Sequence, residues 1–316
     1  MSWPGSLNSA AEPLWAIVGA TGTGKTRLAI ELAERVGGEI VSVDSAQIFR
    51  GLDIGTAKPS PAERARVRHH VIDVVDPEAQ WSSAAFAEAA TTAIEDIQGR
   101  GLRPILCGGT GLWLRALTRG LFEVPPIDPA TKDQVRRRLE EEGAPAVHRA
   151  LSLVDPEAAR RLHPNDTQRI GRALEVYLGT GQTISSLQDA HGFRAQRFRW
   201  RGVALDWPRQ ALVEHLDRRV RAMFAAGLIA EVRGLLERGV PRAAPGFFAI
   251  GYRESLAHLL DGVDERTTIE ETVIATRQYA KRQRNWFKSD AEVEWVAPTI
   301  TAAELEEIFR RASGGI

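Results

Sequence analysis

LWAIVGATGTGKT, residues 14–26, joins a short apolar run to a glycine-rich loop ending in Lys-Thr. An apolar run of that length closed by glycine reads as a buried strand. Gly19, Ala20, Thr21, Gly22, Thr23, Gly24, Lys25 and Thr26 then match G-x-x-x-x-G-K-[ST], a phosphate-binding loop when a strand precedes it and a helix follows. The helix is there in pattern: Leu28, Leu32 and Val36 recur at i, i+4 and i+8 before Gly37-Gly38 stops them. In such a loop successive backbone N–H groups turn toward one anion, and the helix N-terminus adds positive potential. Lys25 brings a mobile charge for the terminal phosphates, and the Thr26 hydroxyl can hold Mg²⁺. The segment predicts a di- or triphosphate site.

The flanking sequence extends this to a fold. EIVSV at 39–43 is a second strand, ending at Asp44-Ser45, and PILC at 104–107 is a third. The third runs into Gly108-Gly109-Thr110-Gly111 and an amphipathic helix over 112–117. Strands alternating with helices, with glycine loops after the strands, predict a parallel α/β sheet. Between 125 and 194 β-branched runs nearly vanish, and Asp128-Pro129 and Asp155-Pro156 pair an N-cap with proline at N1. That stretch reads as a helical insertion. VAL at 203–205 returns to the sheet, and after Trp207-Pro208 the chain is helical to about Lys288. The expected organisation is a disordered tail at 1–13, a P-loop α/β core with C-terminal helices at 14–124 and 195–316, and the insertion at 125–194.

Composition excludes several classes. At 43% hydrophobic and 26% charged, the 316-residue chain is globular and not disordered. Cys107 stands alone, so neither a disulfide framework nor a cysteine zinc site is available. No apolar run approaches the ~18 residues of a membrane span, and no basic residue precedes an apolar core at the start, so a cytoplasmic location is expected. The seven histidines show no ligand spacing beyond the adjacent His69 and His70. The formal charge is zero, 41 bases against 41 acids, but 36 of the bases are Arg and five Lys. Arg suits bidentate phosphate contacts, and where charge lies matters as well as its sum.

Four features leave chemistry open at this level. Asp44, the strand-end acid close behind the loop, is a metal-steadying group, a general base, or a turn cap. Arg219 falls at the edge of the apolar stripe Leu212, Leu216, Val220 and Met223, where it needs an anion, either a phosphate or a buried carboxylate. Arg277, Lys281, Arg284 and Lys288 recur at i, i+4, i+7 and i+11 with no acid between 272 and 289, a cationic stripe suited to a phosphate backbone. Arg194, Arg197, Arg199 and Arg201 precede the returning strand, and their spacing would place all but Arg194 on one strand face.

Several long segments carry a family resemblance: GATGTGKT (19–26), SVDSAQIFRGLDIGTAKPS (42–60), HHVIDVVDP (69–77), GGTGLWLRAL (108–117), HPNDTQRIGRALEV (163–176), FAIGYRE (248–254) and ATRQYAKRQRNWF (275–287). Over about residues 14–295 the chain resembles bacterial tRNA dimethylallyltransferases, also called tRNA isopentenyltransferases. The resemblance implies a P-loop (nucleoside-triphosphate-hydrolase-like) parallel-sheet core with a helical insertion gripping the anticodon stem-loop of tRNA. It implies transfer of a dimethylallyl group from dimethylallyl diphosphate to N6 of the adenosine just 3′ of the anticodon, with Mg²⁺. A monomer acting on one tRNA, with no membrane contact, is expected. Asp44 would accept the N6 proton. Thr26, Lys25, Arg219 and Mg²⁺ would steady the leaving diphosphate, with Thr26 as metal ligand. The prenyl donor would enter a channel blocked by the tRNA base at its opposite mouth.

The tRNA contacts it implies are Asp44, Ser45, Ala46 and Gln47; Thr110; Lys132 in the insertion; and Gln168, Arg169, Ile170, Gly171 and Arg172. Two further segments are Phe248, Ala249, Ile250, Gly251, Tyr252 and Arg253, and Lys281, Arg282, Gln283, Arg284, Asn285, Trp286, Phe287 and Lys288. The single cysteine offers no ligand set for the C-terminal zinc finger that some homologues carry. A P-loop small-molecule kinase shares the loop but leaves the insertion and stripe without a use. An adenylate prenyltransferase shares the core but needs neither, and an RNA-binding module with an idle loop has no call for an intact Gly24-Lys25-Thr26.

Overall fold

The computed structural model describes residues 12–122, 124–191 and 197–313; the expected tail, apart from its last two residues, and Arg194 lie outside them. The chain divides into two compact units, one of Met1–Thr118 with Arg197–Ile316 and one of Arg119–Gln196. No described helix is long and apolar enough to cross a membrane.

The first unit follows the order β1 (Leu14–Val18), α1 (Lys25–Val36), β2 (Gly38–Val43), α2 (Pro61–Arg66), β3 (His69–His70), α3 (Ser83–Gly99), β4 (Arg103–Gly108) and α4 (Gly111–Arg119). The second unit holds α5 (Pro129–Glu142), α6 (Ala144–Val154), α7 (Pro156–Arg161), α8 (Thr167–Thr180) and α9 (Ile184–His191). The first unit then resumes with β5 (Trp200–Leu205), α10 (Arg209–Ala225), α11 (Leu228–Glu237), a 3₁₀ turn at Pro245–Phe248, α12 (Tyr252–Asp261), α13 (Glu265–Lys288), β6 (Val293–Val296) and α14 (Ala302–Ser313).

The described strands make one sheet in the order β3-β2-β4-β1-β5-β6 with every pairing parallel. A parallel sheet is covered on both faces, and β1 is buried along its whole length. Trp15 and Ile17 face one layer, where Trp15 stacks on Phe309 of α14 at 5.0 Å between ring centroids. Leu14, Ala16 and Val18 face the other, with Phe86 and Ile94 of α3 and Val220 of α10. Each fully buried side chain of the Leu, Ile or Phe kind contributes roughly 1.5–3 kcal/mol.

The second unit closes on its own core of Val135, Val147, Leu151, Ile170, Ala173 and Leu174. The Asp-Pro starts hold: Asp128 accepts the N–H of Ala130, and Asp155 that of Ala158. Asp155 is itself buried and also takes the N–H and hydroxyl of Ser185.

One local expectation fails. The returning strand begins at Trp200, so of the second arginine group only Arg201 lies on it, exposed and paired with Glu292 at 2.6 Å. Arg197 and Arg199 precede the strand. Alternation assigns a face only inside a strand.

Candidate active site at the carboxyl end of the sheet

Strand register assembles the site. Val18 pairs with Gly108 on one side and Ala204 on the other, and Val43 also pairs with Gly108. The carboxyl ends of β1, β2, β4 and β5 therefore lie side by side, at the crevice where open parallel sheets bind ligands. There the chain turns through Gly24, at φ +94°, into α1. An L side chain is strained at that angle, so glycine is required.

The loop holds its own shape. Thr23 Oγ1 donates to Ala20 O at 2.9 Å, Lys25 Nζ to the same oxygen at 2.5 Å, and the Trp207 indole donates to Thr23 O at 3.1 Å. The backbone N–H groups of residues 22–26 have no acceptor among the described residues. Unpaired donors at a helix N-terminus form an anion site. Burial pushes the Lys25 ammonium down to about 8, against the opposing pull of Asp44 and with help from Arg219. The Cys107 thiol is pushed up to about 11 by burial and so stays protonated near neutrality.

An anion seated on the loop restores the Lys25 pKa toward its ordinary value. An organic diphosphate, whose terminal phosphate titrates near ~6 like other singly substituted phosphates, is expected to bind at pH 8 with net proton uptake. Its affinity should fall as pH rises through about 8. Calorimetry in buffers of different ionisation enthalpy measures this; zero proton uptake would mean that Lys25 does not face the anion.

Two cavities meet at this edge. One, of about 220 Å³, is lined by Lys25, Thr26, Ile40, Ser42, Lys58, His69 and Cys107 among others. The second, of about 300 Å³, is lined by Ser45, Phe248, Gly251, Thr276, Tyr279 and Arg282 among others. Thr21, Asp44, Thr56 and Arg219 line both. Asp44 caps its own turn with one oxygen, Oδ1 accepting from Ala46 N at 2.9 Å and Gln47 N at 3.4 Å, while Oδ2 takes no hydrogen bond among the described residues. Capping and facing the junction are thus compatible.

Arg219 forms no ion pair with a described carboxylate, and burial lowers its pKa against a partial pull from Asp44. Of its two possible partners, the buried carboxylate is not there. The first cavity's wall is held by Lys58, whose Nζ donates to Phe49 O, Asp53 and Asp73 at 2.6, 2.7 and 2.5 Å. Its neighbours Ala57, Val71 and Asp73 have φ of 48°, 60° and 54°. Backbone strain of this kind persists where the surroundings over-determine it, often at functional sites.

The RNA-contact segments divide by side-chain direction. Lys132, Gln168, Arg169, Arg172, Phe248, Arg253, Lys281, Arg282, Asn285 and Lys288 are exposed, with Phe248 at 69%. Asp44, Ser45, Ala46, Gln47, Thr110, Ala249, Ile250, Arg284 and Trp286 are half-buried. Ile170, Gly171, Gly251, Tyr252, Gln283 and Phe287 are buried, and their side chains offer nothing to a macromolecule. Tyr252 is core, its hydroxyl bonded to Glu231 and accepting Gly55 N–H at 3.1 Å.

The cationic stripe is also less free than its helix implies. Arg284 pairs with Asp206 at 2.7 Å and Arg277 with Asp217 at 3.7 Å. The acids come from the end of β5 and from α10, so counting charges within α13 alone misses them. Sequence reasoning also missed Trp207, Lys58 and the inward part of Gln283. Val273, Ala280 and Phe287 repeat every seventh residue on the buried face of α13, and that heptad was the signal that Gln283 points inward.

The comparisons with known proteins agree with this geometry. The IPP transferase family model matches residues 47–290, and the isopentenyl transferase model residues 12–76. A tRNA dimethylallyltransferase of Geobacter metallireducens is 49% identical over 284 residues, covering 89% of this chain and 91% of that one. One from Halorhodospira halophila is 47% identical over 311 residues, covering 96% and 99%. Among solved structures, a tRNA isopentenylpyrophosphate transferase from Bacillus halodurans superposes with a TM-score of 0.69 at 35% identity, over 96% of each chain. A eukaryotic dimethylallyltransferase acting on tRNA gives 0.78 at 28% identity, over 94% of this chain and 78% of that one. With its phosphate loop, its double cavity and matches of this extent, the chain belongs to the IPP transferase family, that of the tRNA dimethylallyltransferases.

Proposed function

We propose that the chain transfers the dimethylallyl group of dimethylallyl diphosphate to N6 of the adenosine immediately 3′ of the anticodon in tRNA, releasing diphosphate. The observation that carries this reading is the meeting of two cavities at Asp44 and Arg219, one with a phosphate loop at its end and the other with exposed Phe248 and Arg282 at its edge. Donor and acceptor enter from different sides and react where both carboxylate and guanidinium reach. A nucleotide-hydrolysing role is disfavoured, because β4 ends in Gly108-Gly109 without the acid that steadies Mg²⁺ in such enzymes.

The reaction breaks the C1–O bond of the donor and forms a C1–N6 bond. The bonding pair leaves with the diphosphate, and Asp44 Oδ2 accepts the N6 proton. Negative charge grows on the leaving group, where the N–H groups of residues 22–26, Lys25 and Arg219 are already oriented to receive it. Thr26 fits a hard cation: its hydroxyl lines the cavity and makes no hydrogen bond among the described residues. Mg²⁺ bound there would neutralise part of the diphosphate charge. The adenine leaves its stack to reach Asp44, at a cost of a few kcal/mol that is smallest in a single-stranded loop.

The exposed cations Lys281, Arg282 and Lys288 on α13, and Arg169 and Arg172 on α8, supply sequence-independent grip on the RNA backbone. The chain acts as a monomer in the cytoplasm on this reading. Incubation of radiolabelled dimethylallyl diphosphate with unmodified anticodon stem-loops is expected to label only those with adenosine directly 3′ of the anticodon. Label on free adenylate, or ATP hydrolysis without transfer, would replace it with a rival.

A further inference from the structure

The glycine run that closes β4 has a demanding geometry. A Cβ on Gly109 would lie 2.1 Å from Gln283 Nε2 and 2.9 Å from Gly19 O, and one on Gly111 would lie 2.1 Å from Trp286 Nε1. The two glycines form a socket into which α13 presses side chains against bare backbone. Gln283, 5% exposed, uses that closeness to reach the phosphate loop: its Oε1 accepts the Thr21 N–H at 2.8 Å. Within the same glycine run, Thr110 Oγ1 accepts the Ser45 N–H at 3.1 Å. The glycine run after β4 thus adjoins both the α13 side chain that holds the phosphate loop and the turn that carries Asp44.

We propose that Gln283 is a positioning residue for the donor: by accepting the Thr21 N–H it fixes the flank of the phosphate loop, so that the N–H groups of residues 22–26 converge on the diphosphate, and it does not contact RNA. This rests on the reading of the loop as a diphosphate site. The division of labour follows from direction. Lys281, Arg282, Asn285 and Lys288 point to solvent from the same helix, while Gln283 points to the loop. The Thr21 N–H is half-buried, and without its acceptor it carries part of a desolvation penalty that the loop avoids by shifting away from the shape the anion needs.

The test uses Gln283→Met, which keeps side-chain length but has only a weakly accepting thioether in place of the amide oxygen, and Gln283→Asn, which keeps the amide but falls a methylene short of Thr21. Both are expected to raise KM for dimethylallyl diphosphate and Kd for inorganic diphosphate about tenfold. Turnover at saturating donor should change by less than about threefold, the mark of uniform binding loss, and anticodon stem-loop affinity should stay within about twofold. Gly109→Ala, which displaces Gln283 from the opposite side, should reproduce the KM. Hydrogen exchange at residues 19–26 should quicken in all three. Weakened stem-loop binding with an unchanged donor KM would make Gln283 an RNA contact and overturn the proposal, as would wild-type values throughout. Failure of the wild-type protein to bind inorganic diphosphate would instead remove the reading of the loop itself.

Discussion

Replacing Asp44 by Asn is expected to lower single-turnover transfer by about 10³-fold, within the ~10²–10⁴ that a positioned general base contributes, while leaving the binding of both substrates intact. Asn is the informative choice. It keeps an oxygen to accept the N–H groups of Ala46 and Gln47, so the turn after β2 survives. It loses only the capacity to take a proton at the junction of the two cavities. Alanine would remove both and mix a structural loss with a chemical one. The check is transfer from saturating dimethylallyl diphosphate to a saturating stem-loop, with stem-loop and diphosphate affinities measured alongside. If Asn retains more than about a tenth of the rate, the N6 proton goes elsewhere.

Arg219→Leu is expected to move activity and stability in opposite directions. In the free protein the guanidinium is half-buried beside Leu216 and Val220, forms no ion pair with a described carboxylate, and has its pKa lowered by burial. A charge in that position costs stability until an anion arrives. Leucine relieves the cost, so the thermal midpoint should rise by a few degrees, about 2–4 °C for each kcal/mol gained in a chain of this class. Transfer should fall by about 10²–10³-fold, the loss seen when one oriented donor to a developing charge is removed. Thermal unfolding and single-turnover rates read the two effects separately. A lower midpoint would mean that Arg219 is already satisfied in the free protein, and a near-normal rate would mean that it does not face the leaving group.

How far the sequence carried these conclusions differs from one residue to the next. β1, the loop, α1, β2, β4 and the helical character of residues 129–191 follow from apolar runs, glycine stops and Asp-Pro caps, because local chemistry alone dictates them. α3 also had its signal, Phe86, Ala90, Ile94 and Ile97 at helical spacing, though its many alanines and threonines make the stripe thin. The edge strands had none: β3 is two half-buried histidines and β6 has no fully buried residue. They exist because a neighbouring strand offers partners. Asp44 could be singled out as a strand-end acid, but its two duties could not, since they depend on which oxygen meets the turn. The pairing of Arg284 with Asp206 was likewise beyond reach, because it joins residues far apart in sequence.

The sheet order has a consequence for the birth of the protein. β1 leaves the ribosome ahead of the other described elements, yet one of its two partners, β5, follows the whole of Arg119–Gln196. At ~5–20 residues per second, β1 waits on the order of ten seconds with one row of backbone donors and acceptors unpaired. During that wait an apolar strand with a bare edge invites pairing with another chain. The intervening helical unit carries a core of its own, so it can fold while β1 waits. The strand that bears the phosphate loop is therefore completed late, and its exposure to chaperones is greatest before catalysis is possible at all.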